Sequence, residues 1–253
     1  MSAERDVLVV DDEPMIGGAV SRVCAAEGLS CDVESRAEAG LERLRRSRYR
    51  LVLCDIMMAE LDGFGFLAEM ARLGAATPVV MITGYSTVDN AVRSLAAGAV
   101  DFLPKPFTAD EVLSVVQRGL RAGRLPGAAP CPPPFHRLGR ISWLEAGPEG
   151  SARIGAADPF LKTLGGVHAV ELAAAGGEVV QGAPCATIVA GEGARHHLLC
   201  PVSGRIAEVN PRVARDPALL EQDPYGEGWL YRVVPADLGH DLARLTPCRP
   251  DPS

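Results

Sequence analysis

Five short apolar runs punctuate the first half of the chain: VLVV at 7–10, CDVE at 31–34, LVLCD at 51–55, PVVMIT at 78–83 and DFLPK at 101–105. Between them lie amphipathic stretches of helical length. PMIGGAVSRVCAAEG carries Pro14 near its start, and STVDNAVRSLAAG closes on Gly98. Strands alternating with helices predict an α/β fold, a doubly wound parallel sheet of five strands covered on both faces. In such a sheet, chemistry gathers at the carboxyl ends of the strands.

The pattern changes after residue 135. ISWLE, SARIGA, HAVELA, EVVQGAPCATIVAG, HHLLCPVSGRIAEVN and GWLYRVVP are short strand-like segments bounded by Gly, Pro or Asp. They predict a mostly-β barrel or sandwich domain. Brief helices fit DPFLKTLG and DPALLEQ, the latter with Asp216 as cap and Pro217 in the first turn. RAGRLPGAAPCPPPF, from Arg121 to Phe135, breaks the helical pattern and ends in three prolines, which favour extended backbone. The expected organisation is therefore a domain over 1–121, a linker over 122–135 and a second domain over 136–253.

A chain of 253 residues suits two domains, and 47% hydrophobic with 23% charged residues is enough to build cores. Net charge is −7; the 32 acids and 25 bases divide as 18 and 14 up to residue 134, and 14 and 11 beyond it. Neither half has the basic stripe of a nucleic-acid binder. No leader pattern opens the chain and no apolar run approaches the roughly 18 residues of a membrane span, so a cytoplasmic location without membrane contact is expected. Seven cysteines without a C-x-x-C pair are read as buried, reduced thiols.

Asp11 and Asp12 end the first predicted strand, Asp55 the third, Thr83 the fourth and Lys105 the fifth. Three carboxylates at one rim repel one another unless a cation sits among them, and oxygen ligands with room for water suit Mg²⁺. A carboxylate beside that ion can attack a phosphoryl group while Lys105 and Thr83 take up its oxygens. Residues 5 to about 121 resemble the receiver domain of two-component response regulators. The resemblance implies phosphorylation of Asp55 by a histidine kinase or phosphotransfer protein, and Mg²⁺ held by Asp11, Asp12, Asp55 and the backbone carbonyl of Met57. It makes Thr83, followed by Gly84, and Phe102 the switch pair, with motion from about Ser86 to Arg121. Lys105 is followed by Pro106 and Phe107 as in the family, whereas Ala59 stands where a proline is frequent. No His, Cys or Ser pairing at the strand ends suggests another enzyme.

The second half resembles the glycine cleavage H protein, a lipoyl carrier with a flattened β-barrel core, through SARIGAADPFLKTLGGVHAVEL, PVSGRIAEVN and DPALLEQDPYGEGWLYRV. In that family a lysine on a hairpin turn receives lipoate. Counting back from Pro201 in TIVAGEGARHHLLCPVSGRIAEVN places Gly193 there, and Ala190 replaces the usual acid three residues earlier. Glycine offers no amine, so no lipoate is expected. Arg195, His196, His197, Cys185 and Cys200 lie near this turn, but adjacent strand residues point to opposite faces, which makes a poor metal site. GEGAR lacks the helix and lysine of a phosphate loop. With no helix-turn-helix and no GxxxxGK[ST], the expected protein is a phosphorylated response regulator with a non-DNA-binding output that recognises a protein. The alternative is a phosphorylation-gated sensor whose barrel binds a lipoyl-like or acyl ligand. A phosphorylation-dependent homodimer is a further partner state left open.

Overall fold

Along β1 (Glu4–Val10), Val7 and Val9 enter one apolar cluster and Leu8 and Val10 another, all four fully buried. That alternation in a continuous apolar run is what a sheet covered on both faces requires. The computed structural model describes residues 4–84, 88–124, 131–191 and 193–249, and the chain divides into two compact units, the first of residues 1–90 with 97–124 and the second of residues 91–96 with 125–253. In the first unit, β1, β2 (Cys31–Glu34), β3 (Arg48–Asp55), β4 (Val79–Thr83) and β5 (Asp101–Pro104) form one parallel sheet in the order β2-β1-β3-β4-β5.

One face of the sheet is covered by α1 (Pro14–Ala26) and α5 (Ala109–Ala122), through Val20, Cys24, Val112, Val115, Val116 and Leu120. The other is covered by α2 (Ala37–Arg46) and α3 (Gly63–Arg72), through Leu41, Phe66, Leu67 and Met70. α4 runs over Val88–Ala96. β1 and β3 begin three residues before their apolar runs, because the charged residues there pair across strands: Arg5 with Asp32 and Arg50 with Asp6. β5 ends one residue early, at Pro104. Lys105 lies just beyond it, its N–H donating to the Thr83 carbonyl at 2.7 Å. α5 starts on a capping box in which Thr108 Oγ1 accepts from the Glu111 N–H and Glu111 Oε2 from the Thr108 N–H.

The second unit is built mostly from antiparallel strands. β6 (His136–Leu138), β7 (Ser142–Ala146), β8 (Ala152–Ala156), β10 (Glu178–Val179), β13 (Gly204–Val209), β14 (Trp229–Pro235) and β15 (Thr246–Pro247) form a sheet in the order β10-β13-β14-β8-β7-β6-β15. β9 (Val167–Leu172), β11 (Pro184–Ala190) and β12 (Ala194–Leu199) form a second. Tyr231 on β14 ties the two together: its hydroxyl donates to the Cys185 carbonyl at 2.8 Å and accepts from the Ala173 N–H at 2.8 Å.

The DPYGEGW string proves to be a scaffold. Asp223 accepts from the N–H groups of Gly226 and Glu227, and the resulting turn presents the Pro224 carbonyl to the Trp143 indole N–H, which the Ala156 carbonyl also accepts, each at 3.0 Å. Trp143 is fully buried over Gly155, where an added Cβ would fall 2.6 Å from the ring.

Two expectations need correction. DPALLEQ does not start a helix on Asp216. Asn210 caps α7 (Pro211–Arg215) by accepting from the Arg212 N–H, so Asp216 ends that helix, and α8 (Leu219–Gln222) starts only after the turn at Pro217 and Ala218. The cysteines are not all reduced thiols. Cys131 and Cys248 are disulfide-bonded, while Cys24, Cys31, Cys54, Cys185 and Cys200 are free. The two partners are 117 residues apart, so no local spacing in the sequence marks the pair. α6 (Asp158–Leu164) and α9 (Leu238–Leu242) complete the unit's α-helices among the described residues.

Candidate functional site

Parallel pairing in register brings the carboxyl ends of β1, β3, β4 and β5 to one rim. Asp55 is the last residue of β3, and Asp11 and Asp12 follow the last residue of β1. Carboxylate oxygens of Asp11, Asp12 and Asp55 all lie within 4.8 Å of one another, with Asp11 and Asp55 buried and Asp12 exposed. Lys105 Nζ reaches in from the far side, 2.9 Å from Asp11 Oδ2, 3.3 Å from Asp55 Oδ1 and 2.8 Å from Glu13 Oε1.

The electrostatics follow from burial. Asp55 is pushed up to about 6, first by desolvation and then by the Asp11 charge, with Lys105 pulling the other way. Burial raises Asp11 too, against Lys105 and the Glu13 N–H, which donates to Asp11 Oδ1 at 2.9 Å. For Lys105, burial alone would lower the ammonium, but hydrogen bonds to Glu13 and Asp11 outweigh it and the group is raised.

Asp11 Oδ2 and Asp55 Oδ1 are buried carboxylate oxygens that share the single Lys105 ammonium. Two buried carboxylates sharing one ammonium, beside an exposed third, carry more negative charge than it neutralises and suit a small hard cation with some of its waters retained. Among the described residues this is the one cluster of three or more such groups able to hold a metal. Met57 sits two residues after Asp55 with its side chain exposed.

Thr83, the last residue of β4, is fully buried, and Gly84 beside it leaves space up to the Lys105 stem. Phe102 on β5 packs against the α2/α3 side of the core. Its N–H donates to Asp101 Oδ1, while Asp101 Oδ2 accepts from Arg118 on α5 at 2.7 Å. Ser86, where the moving surface was expected to begin, lies outside the described residues.

A rim of two buried aspartates, one exposed aspartate and one buried lysine, on a 2-1-3-4-5 parallel sheet, is decisive once set beside known families. The family described as the response regulator receiver domain matches residues 7–117, and the glycine cleavage H-protein family matches residues 136–247. The N-terminal unit is a response regulator receiver domain. The receiver is 37% identical over 122 residues to the nitrogen assimilation regulatory protein NtrX of Azorhizobium caulinodans, a match covering 47% of this chain and 27% of that one. It is 36% identical over 115 residues to the transcriptional regulatory protein ZraR of Escherichia coli, covering 46% and 26%. This chain therefore spans about a quarter of the length of these curated relatives. The solved receiver domain of NtrX from Brucella abortus is 37% identical over 46% of this chain and 98% of its own, with a TM-score of 0.44. Receiver domains bind Mg²⁺ at an acidic cluster of the kind formed here by Asp11, Asp12 and Asp55, and a receiver implies a histidine kinase or phosphotransfer partner.

In the second unit, Gly191 and Gly193 turn the β11–β12 hairpin with φ of 51° and 94°, and the Gly193 N–H donates to the Ala190 carbonyl at 3.1 Å. Glu192 lies outside the described residues. Lys162 is on α6, paired with Asp158 at 2.7 Å, and not on this turn. His196 is buried and His197 exposed, with Nδ1 3.2 Å from Thr187 Oγ1, so the two do not share a centre. Arg195 forms a two-pronged pair with Glu171 on the sheet surface, one bond at 2.6 Å. Cys185 and Cys200 are buried and donate to the carbonyls of Leu198 and Val202. No helix among the described residues is long and apolar enough to cross a membrane.

Reading the sequence alone missed Glu13, Gly63 and Asp101. Glu13 directly continues the Asp11-Asp12 pair, a signal present in the string DDE. Gly63 opens α3 where an added Cβ would meet the Asp55 carbonyl oxygen at 2.3 Å, a contact that only the folded chain shows.

Proposed function

We propose that Asp55 accepts a phosphoryl group from a histidine kinase or phosphotransfer protein, and that the H-protein-like unit is a non-DNA-binding output that recognises a protein. The observation that carries the first part is Lys105 Nζ at ion-pair distance from both buried carboxylates. An Asp55 oxygen attacks the phosphorus of a phosphohistidine; the P–N bond breaks, and its electron pair leaves with the imidazole, which takes up a proton. Lys105 neutralises the arriving oxygens, and the Thr83 hydroxyl turns to donate to one of them, leaving space that Phe102 fills. Asp11, Asp12, Asp55 and the Met57 carbonyl would hold Mg²⁺, which would supply further charge neutralisation. No enzymatic activity beyond this phosphorylation and its reversal is assigned.

The output reading rests on chemistry at the hairpin. Gly193 stands where the carrier family has its lysine, so the unit does not carry lipoate. Its interior is filled by Trp143, Tyr231, Leu138 and Ile141, each buried to about 1% exposure or less. Such a filled core leaves surface recognition, at features such as the Glu171–Arg195 pair, as its means of contact. Affinity capture from a lysate with the full chain, phosphorylated or carrying Asp55→Asn, tests the reading. It holds if a protein is retained through the second unit, and fails if nucleic acid is retained instead.

A further inference from the structure

Cys131 heads the run Cys131-Pro132-Pro133-Pro134, seven residues past Arg124, the last residue of the receiver unit. Cys248 follows β15, and the two cysteines are bonded with their Cα atoms 5.6 Å apart. Behind the sulfurs lies an aromatic cluster of Phe135, Trp143, Tyr225 and Trp229. Phe135 is the first residue after the proline run that packing holds on its own. It is buried, its ring centre is 5.0 Å from that of Trp143, and its carbonyl accepts from the Cys248 N–H at 2.8 Å. Strands β6 and β15 pair directly beyond. Of the four residues before Phe135, Cys131 packs on the same cluster and Pro132 offers its carbonyl to the Phe135 N–H at 3.0 Å, while Pro133 and Pro134 are exposed. Three of the four are prolines without an N–H, so the backbone can donate only at Cys131.

We infer that Cys131 and Cys248 form a thiol–disulfide exchange site that fastens the segment from Cys131 to Pro134 onto the β6–β15 edge of the second unit, so that opening the bond loosens this edge and closing it locks the edge.

Access selects the sulfur that reacts. Cys131 is half-buried and Cys248 buried, so a small thiolate attacks Cys131 Sγ. The S–S bond breaks, its electron pair goes to Cys248 Sγ, and a mixed disulfide remains on Cys131. A second thiolate then attacks the small-molecule sulfur, releasing a low-molecular-weight disulfide and the Cys131 thiolate, and the two protein thiolates take up protons. Closure is the reverse, with the low-molecular-weight disulfide as oxidant.

The test equilibrates the full chain with mixtures of reduced and oxidised glutathione, without denaturant, then alkylates it and maps each cysteine by peptide mass. Expected is a joint passage of Cys131 and Cys248 from bonded to alkylated as the mixture becomes reducing. Hydrogen exchange should rise several-fold over 131–138 and 246–249 and stay unchanged in the rest of the second unit. Emission of Trp143 and Trp229, the protein's two tryptophans, should change in step, and Cys248→Ser should show the open exchange pattern at every ratio. The inference is overturned if the bond stays closed at all ratios, if both thiols are alkylated at all ratios, or if opening it or Cys248→Ser unfolds the whole unit.

Discussion

Lys105 Nζ lies 3.3 Å from Asp55 Oδ1, so the buried carboxylate proposed as phospho-acceptor is already paired with the cation that would meet the phosphate. Glu13, on the exposed side, holds the same ammonium in place.

Lys105→Ala leaves Asp11 and Asp55 buried and facing each other. Breaking a buried pair by removing one partner costs about 3–5 kcal/mol. Urea unfolding of the metal-free protein should show a loss of that order at pH 8. The loss should be smaller at pH 5, where Asp55 is protonated in the folded state and has no charge to neutralise.

The same carboxylate sets a pH dependence in the wild type. Asp55 is raised from 3.8 to about 6 in the folded state, so between those values the folded protein binds more protons than the unfolded chain. Stability of the metal-free protein therefore falls as pH rises through that window, by up to about 3 kcal/mol for this group. Asp55→Asn should remove this contribution and be the more stable protein at pH 8. Equal slopes for the two proteins between pH 4 and 6 would count against the assignment.

Gly63→Ala probes the backbone beneath the acceptor. The added methyl would meet the Asp55 carbonyl oxygen at 2.3 Å and Met81 Cε at 2.8 Å. We expect a loss of about 1–3 kcal/mol in thermal unfolding and slower phosphorylation, because the strand end must shift.

The hairpin of the second unit offers a gain-of-function test. Nothing lies within 4 Å of a Cβ added at Gly193, although its φ of 94° strains any side chain by about 1–2 kcal/mol. Intact mass of wild-type protein from lipoate-fed cells should show no adduct, and Gly193→Lys should gain one. A lipoylated wild type would redirect attention to Lys162.

The receiver was legible because its information is local. Asp11, Asp12, Asp55 and Thr83 sit at the ends of apolar runs, and in-register parallel pairing places strand ends together. Strand limits were less legible where charged residues pair across strands, as Arg5 does with Asp32, since such residues read as loop. In the second unit the strands could be read but not their partners. The seven-strand order joins β10 to β13 and β15 to β6, pairings that no spacing encodes. The Cys131–Cys248 bond was missed for the same reason. Asp216 was misread because a proline after an aspartate marks a helix start unless another helix already ends there.

The central claim is that Asp55 is the phospho-acceptor, and intact mass after incubation with a small acyl phosphate and Mg²⁺ tests it most directly. The account predicts one added phosphoryl group on the wild type, lost on chelating the Mg²⁺ and absent from Asp55→Asn. An Asp55→Asn protein that gains the same mass at the same rate would contradict it.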